Sequence, residues 1–271
     1  MAPLALATVF AAPGAVTGYA AIVIAVLMLL LWLLSIIIKD VSIVDPIWGP
    51  AFVLVALAGL VAGNGCLGRR WLLFALTALW GLRLGWHLFR RKLGDPEEDR
   101  RYKVMRERLG ARFVPWSLVA IFGLQGLLVL VVSLPLQVVA TRPGDLNGWI
   151  IPGVLLFLVG LLFEAVGDAQ LTRFKADPSN QGQVMDRGLW RLTRHPNYFG
   201  DFCVWWGLWL IVLPAGGTWW TFIGPLVMSI LLIRVSGAAL LERDISERRP
   251  QYAEYIKRTS GFFPWPPRRR D

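Results

Sequence analysis

The sequence predicts an all-α fold, a polytopic membrane protein with seven transmembrane helices, its N-terminus outside and its C-terminus in the cytoplasm. Three observations carry this expectation. Hydrophobic residues make up 56% of the 271 positions and mean hydropathy is +0.55, far from the composition of an ordinary soluble domain. The apolar residues fall into successive runs of roughly 20, the length of helix that crosses about 30 Å of hydrocarbon. Between the runs, basic residues are dense in every second connection and sparse in the others, which sets an orientation.

Taken in order, the expected spans are Tyr19–Ile38, Ile43–Val61, Trp71–Phe89, Trp116–Ala140, Trp149–Leu171, Phe199–Leu213 and Thr218–Val235. The first lacks a basic flank before it and is too long for the core of a signal peptide. The connection after the third holds Arg90, Arg91, Lys92, Arg100, Arg101, Lys103, Arg106, Arg108 and Arg112. The one after the fifth holds Arg173, Lys175, Arg187, Arg191 and Arg194, and the tail carries Arg243, Arg248, Arg249, Lys257, Arg258 and Arg268 to Arg270. On the opposite side stand only Arg69, Arg70 and Arg142. The positive-inside rule therefore puts the C-terminus in the cytoplasm, and an odd number of spans puts the N-terminus outside.

The net charge of +10 belongs to that topology and to anionic lipid head groups, so no nucleic-acid partner is expected. Two cysteines, Cys66 and Cys203, fall at different depths and make no disulfide framework. Two histidines with no Cys/His spacing exclude an ordinary metal site. No internal repeat is evident, so residues 1–271 read as one membrane domain and a monomer. Arg100–Leu109 reads as a short amphipathic cytosolic stretch, and Glu242–Arg258 as a polar helix under the bundle.

Function is expected where polar side chains crowd into the oily chain. In the fifth span Glu164 and Asp168 lie four residues apart and share a helix face; Lys175 follows. The run from Gly188 to Asp201 then supplies Trp190, Arg194, His195, Asn197, Tyr198 and Asp201, and the tail returns Glu242, Arg243, Tyr252 and Tyr255. Carboxylates, arginines, an amide and phenols suit a ligand with ribose hydroxyls, an amide and phosphates. A buried ion-pair network that only locks helices is the plain alternative. A second group, Arg83, His87, Arg90 and Arg91, shares one face of the third helix; Arg83 lies inside the span and needs an anion or a carbonyl. A third group heads the second helix: Asp45 and Trp48. Asp45 before Pro46 is either an N-terminal cap or a desolvated carboxyl that donates a proton to a ligand.

The motifs Ser42-Ile-Val-Asp45 with Trp48-Gly49, Trp80-Gly-Leu-Arg83, Gly167-Asp168-Gln170, Arg194-His-Pro-Asn-Tyr-Phe-Gly-Asp201, Ser236-Gly237, Leu241-Glu242 and Arg258-Thr-Ser260 together resemble the steroid 5α-reductase superfamily, in its bacterial branch, across about residues 40–264. The Arg-His-Pro run is shared with the isoprenylcysteine carboxyl methyltransferases. The resemblance implies NADPH held on the cytoplasmic side of a bacterial inner membrane, mainly by residues 164–260. Carried over by position, the cofactor would contact Asp168, Lys175, Trp190, Arg194, His195, Asn197, Tyr198, Asp201, Glu242 and Arg243, with Arg83, Arg90 and Arg91 near its phosphates; Glu164 and Tyr255 join the expected cofactor set from the polar constellation itself. The steroid enzymes polarise a ketone with a carboxylate on the second helix and a tyrosine on the third. Here those places hold Asp45 and Trp80, so the catalytic set is Asp45, Trp48, Trp80, His87 and Tyr198, with the donor open among Asp45, His87 and Tyr198. The implied substrate is a lipophilic enone, foremost a 3-oxo-Δ4-steroid, entering from the bilayer. The rival expectations are an S-adenosylmethionine-dependent membrane methyltransferase and a lipid-binding protein without catalysis.

Overall fold

The structure is a computed structural model that describes residues 14–94, 97–235 and 251–267. Among these residues the secondary structure is helical, apart from an isolated bridge between Thr193 and Ser260. Six helical stretches are long and apolar enough to cross a membrane: Ala15–Ile38, Val41–Ala62, Leu67–Gly94, Arg100–Val132, Gly148–Ala176 and Pro196–Ala215. The stretch expected to be a seventh span contains a shorter apolar helix, Trp219–Arg234. The fourth is interrupted: a π-helical segment runs through Leu118–Gly123, and the helix breaks at Ser133 before Pro135, whose ring cannot continue the preceding hydrogen-bond ladder.

The chain divides into two compact units, Met1–Asn147 with Ala215–Thr221, and Gly148–Pro214 with Phe222–Asp271. In the first, α1 (Ala15–Ile38) turns its apolar surface outward, with Ile22, Leu30 and Ile37 at 62%, 59% and 77% exposure, as a lipid-facing helix must. It ends at Lys39 in the left-handed region (φ 57°). A 3-10 turn, Val41–Ile43, leads directly into α2 (Val44–Ala62), which pairs with α3 (Leu67–Gly94). The pairing depends on glycine: a Cβ at Gly81 would stand 2.6 Å from the Gly49 carbonyl oxygen, and one at Gly85 2.7 Å from the ring of Pro50. Backbones this close gain dispersion and exclude lipid where no hydrophobic effect operates between helices.

Helix α4 (Arg100–Leu109) forms where the amphipathic stretch is expected, and Asp99 caps it by accepting from the Arg101 amide. Two acidic residues fasten this region. Glu98 accepts two bonds from Arg106, at 2.7 and 3.0 Å, and one from the Val41 amide. Asp40 accepts from the Ser42 amide at 2.8 Å and pairs with Lys92 at 2.7 Å. Burial alone would raise the Asp40 pKa, but the Lys92 and Ser42 hydrogen bonds outweigh it and hold the carboxyl below its ordinary range. A lowered folded-state value gives stability that is present above the unfolded value and is lost as pH falls through the folded one. Lowering the pH from 5 towards 3 is therefore expected to loosen the α1–α2 junction. Protease cleavage near Lys39 against pH checks this, and Asp40→Asn should remove most of the dependence.

The first unit continues with α5 to α7, Phe113–Ser117, Leu124–Val132 and Leu134–Val139. In the second unit α8 (Ile151–Ala176) and α9 (Pro196–Val212) pack along most of their length. The contact of α8 with α9 is also built on glycine. A Cβ at Gly160 would lie 2.5 Å from the Gly200 carbonyl oxygen, and one at Gly153 2.7 Å from that of Gly207. The remaining helices are α10 (Ile223–Ile230) and α11 (Gln251–Arg258).

Candidate functional site

The glycine contacts decide where the polar groups of the second unit go. A Cβ on Gly200 would meet the Glu164 amide nitrogen at 2.6 Å, so the bare glycine lets α9 lie directly against Glu164. At Gly167, one turn further along α8, a Cβ would stand 3.2 Å from the Pro196 ring, so the glycine lets that ring sit close. Glu164 and Asp168 are thereby buried, at 3% and 7% exposure, beside the first turn of α9. That turn has Pro196 at its start and its Tyr198 amide donates to Asn197 Oδ1 at 3.1 Å, while the positive end of the α9 dipole lies beside the carboxylates. Asn197 donates its amide to Asp168 Oδ1 at 3.2 Å. His195 is buried and stacks on Tyr198, with ring centroids 5.4 Å apart and planes 8° from parallel. Asp201 is buried one turn further along α9.

Other expected site residues hold the polar run in place. Trp190 donates its indole N–H to the Gly167 carbonyl at 3.0 Å, and the Tyr255 hydroxyl donates to the Trp190 carbonyl. Burial pushes the Tyr255 phenol well above its usual range, which keeps that donor protonated. Arg194 gives Nη1 to the carbonyls of Ile256 at 3.1 Å and Thr259 at 3.3 Å, closing the carboxyl end of α11 as a cation there should. Thr193 donates to the Phe262 carbonyl and Arg258 pairs with Asp186. Lys175 is exposed in the last turn of α8. Glu242 and Arg243 lie outside the described residues.

The first unit holds a separate constellation. Asp45 occupies the first turn of α2, about a quarter exposed, with Arg101 Nη2 3.8 Å from its carboxylate. Arg101 itself is fixed by Asp99 at 2.9 and 3.2 Å. Tyr102, next along α4 and 9% exposed, is buried within the field of the Asp45 carboxylate. Neither Arg101 nor Tyr102 was expected from sequence. The signal that could have found them is a lone tyrosine in a helix otherwise rich in cations, an aromatic that only a buried partner would explain. Trp48 lies one turn beyond Asp45, edge-on to Phe52 at 5.0 Å, and Phe52 meets the fully buried Trp80 at 5.6 Å. The Trp48 indole N–H is buried with no acceptor among the described residues. Arg83 and His87 are half-buried on α3, whereas Arg90 and Arg91 are exposed near its end.

A helical protein with membrane-length apolar helices, a buried carboxylate–amide cluster in one unit and a carboxylate with a buried tyrosine nearby in the other is the class these observations define. The chain belongs to the family described as "Protein of unknown function (DUF1295)", whose model matches residues 31–259. It is 24% identical over 261 residues to an uncharacterized protein of Schizosaccharomyces pombe, covering 86% of this chain and 75% of that protein. Over 59 residues it is 39% identical to the probable O-methyltransferase ustE of Ustilaginoidea virens, covering 22% of this chain and 20% of that one. No solved structure matches.

Proposed function

We propose that this protein is an NADPH-dependent reductase of the steroid 5α-reductase type that saturates the C=C bond of a lipophilic enone, with a 3-oxo-Δ4-steroid as the best-fitting substrate. In this reading the chain crosses a bacterial inner membrane seven times, the last crossing built on Trp219–Arg234, and the cofactor site faces the cytoplasm. The observation that carries it is the buried group of Glu164, Asp168 and Asn197, with His195 and Tyr198 stacked beside it. Two buried carboxylates accept ribose hydroxyls, and an amide both donates and accepts as a carboxamide requires. The residues therefore fit a dinucleotide.

When bound, the nicotinamide supplies hydride to the β-carbon of the enone. The chain's own residues do the rest. Asp168 and Asn197 fix the ribose and amide, and the stacked His195–Tyr198 pair gives a flat wall for a ring. Negative charge developing on the substrate carbonyl oxygen calls for a donor held in advance, worth about 3 kcal/mol or more of barrier. Asp45, with Tyr102 near it, has the chemistry for that role, and the Trp48 N–H is a second donor. Proton transfer to the adjacent carbon completes the saturation.

A methyltransferase is the second reading, favoured by the short likeness to ustE and the shared Arg-His-Pro run. Calorimetric titration of the purified protein separates the two. Binding of NADPH at micromolar or lower concentration, with S-adenosylmethionine silent, is expected. Binding of S-adenosylmethionine alone overturns the reductase.

A further inference from the structure

Three arginines cluster in the first unit where α2 ends and α3 begins, at the opposite end of these helices from Asp45. Arg69, only 2% exposed, donates to the carbonyls of Pro143 at 3.5 Å, Gly144 at 3.3 Å and Asp145 at 3.1 Å. Arg70 donates to the carbonyls of Leu60 at 2.7 Å and of Gly63. Arg142 follows α7, whose end is tied to the α2–α3 turn by Gly65 N to Ala140 O at 2.9 Å and Cys66 N to Arg142 O at 3.1 Å. Its guanidinium lies over Gly217, where a Cβ would stand 3.4 Å from the central carbon and from Nη2. Gly217 has φ 61°, so glycine serves this turn twice, in conformation and in leaving room.

Charge in this cluster is unbalanced. All three Nε atoms are buried without an acceptor, and among the described residues none of the three arginines forms an ion pair. Arg70 is explained as a cap on the carboxyl end of α2, and Arg69 by the loop carbonyls it gathers. Arg142 is not explained in this way: no hydrogen bond of its guanidinium to a described residue is present. The first turn of α3 adds its own partial positive charge. Buried or lipid-side cations persist when they are paired, and carbonyl dipoles do not supply a full counter-charge. The surroundings say where the anion comes from. Trp71, Trp219 and Trp220 are 54%, 67% and 36% exposed, and Val61 and Leu67 are 73% and 56% exposed. Exposed tryptophans flanking apolar surface mark the head-group level of a bilayer.

We propose that Arg142, in the field of Arg69 and Arg70, binds the phosphate of an anionic phospholipid head group. The planar guanidinium takes a phosphate through two parallel N–H···O bonds. This site is independent of the reductase reading and stands or falls without it.

The test is native mass spectrometry of the full chain in neutral detergent, titrated with phosphatidylglycerol, with diacylglycerol or with inorganic phosphate. Phosphatidylglycerol is expected to bind saturably. Arg142→Gln should weaken it about tenfold, the loss of roughly one charge-assisted contact, while Arg112→Gln, an exposed arginine elsewhere in the same unit, should leave it unchanged. Arg142→Lys, which keeps the charge and is the variant to use should glutamine disturb folding, should still weaken binding several-fold because the fork is lost. Equal affinity in the wild type and the Arg142 variants overturns the site, as does equal weakening by Arg112→Gln or diacylglycerol binding as tightly as phosphatidylglycerol. Displacement of the lipid by millimolar inorganic phosphate overturns the lipid as its occupant.

Discussion

Asp168→Ala is expected to abolish the thermal stabilisation that NADPH confers while the protein remains folded. A ligand present at a hundred times its dissociation constant stabilises the native state by about 2.7 kcal/mol, which for a chain of this size is a rise in midpoint of about 5–10 °C. Asp168 accepts from Asn197 at 3.2 Å in a buried setting. Its loss removes the ribose acceptor of the proposed site and leaves the amide without that partner, at about 1–3 kcal/mol in the free protein. The variant should thus melt lower without cofactor and show no rise with it. Asp168→Asn keeps the volume and should retain the fold better while losing the same response. Arg194→Ala should behave differently: this side chain closes α11 through the Ile256 and Thr259 carbonyls, so it should lower the midpoint similarly with and without NADPH. An Asp168 variant with the wild-type cofactor response would remove the carboxylate from the site and leave it as a helix lock.

The contrast between Asp168 and Arg194 shows what a sequence can and cannot convey here. Hydropathy located the long apolar helices because lipid imposes length and composition on them directly, and Arg100–Leu109 was legible to the residue because its cap, Asp99, sits in the same stretch. The polar run was legible as a cluster because charged groups beside lipid stand out. The division of labour within it was not: whether Arg194 faces a ligand or a carbonyl depends on residues more than 60 positions away in α11. Tyr102 was missed for the same reason. It lies 57 positions from Asp45, in a helix whose cations point to topology. The α8–α9 seam was hidden because a glycine's role depends on its neighbour's backbone, as at Gly160 against Gly200.

Asp45→Asn and Tyr102→Phe should each cut turnover about a hundredfold while NADPH binding stays within twofold of wild type. A donor already aimed at developing oxyanion charge contributes on that scale, because it acts on the transition state and not on the bound cofactor. Phenylalanine at 102 removes only the hydroxyl, and the ring stays to fill its buried place. Asparagine at 45 keeps shape but no longer places a negative charge beside the phenol or holds Arg101 by charge. If the two act as one unit, the double variant should be no slower than the slower single one, since coupled groups are not additive. Arg101→Gln, which leaves the pair in place, should cost far less. Single-turnover oxidation of NADPH with an excess of a 3-oxo-Δ4-steroid reads the chemical step directly. Full activity in Tyr102→Phe would pass the role of donor to the buried Trp48 N–H, which Trp48→Phe then tests at the same position.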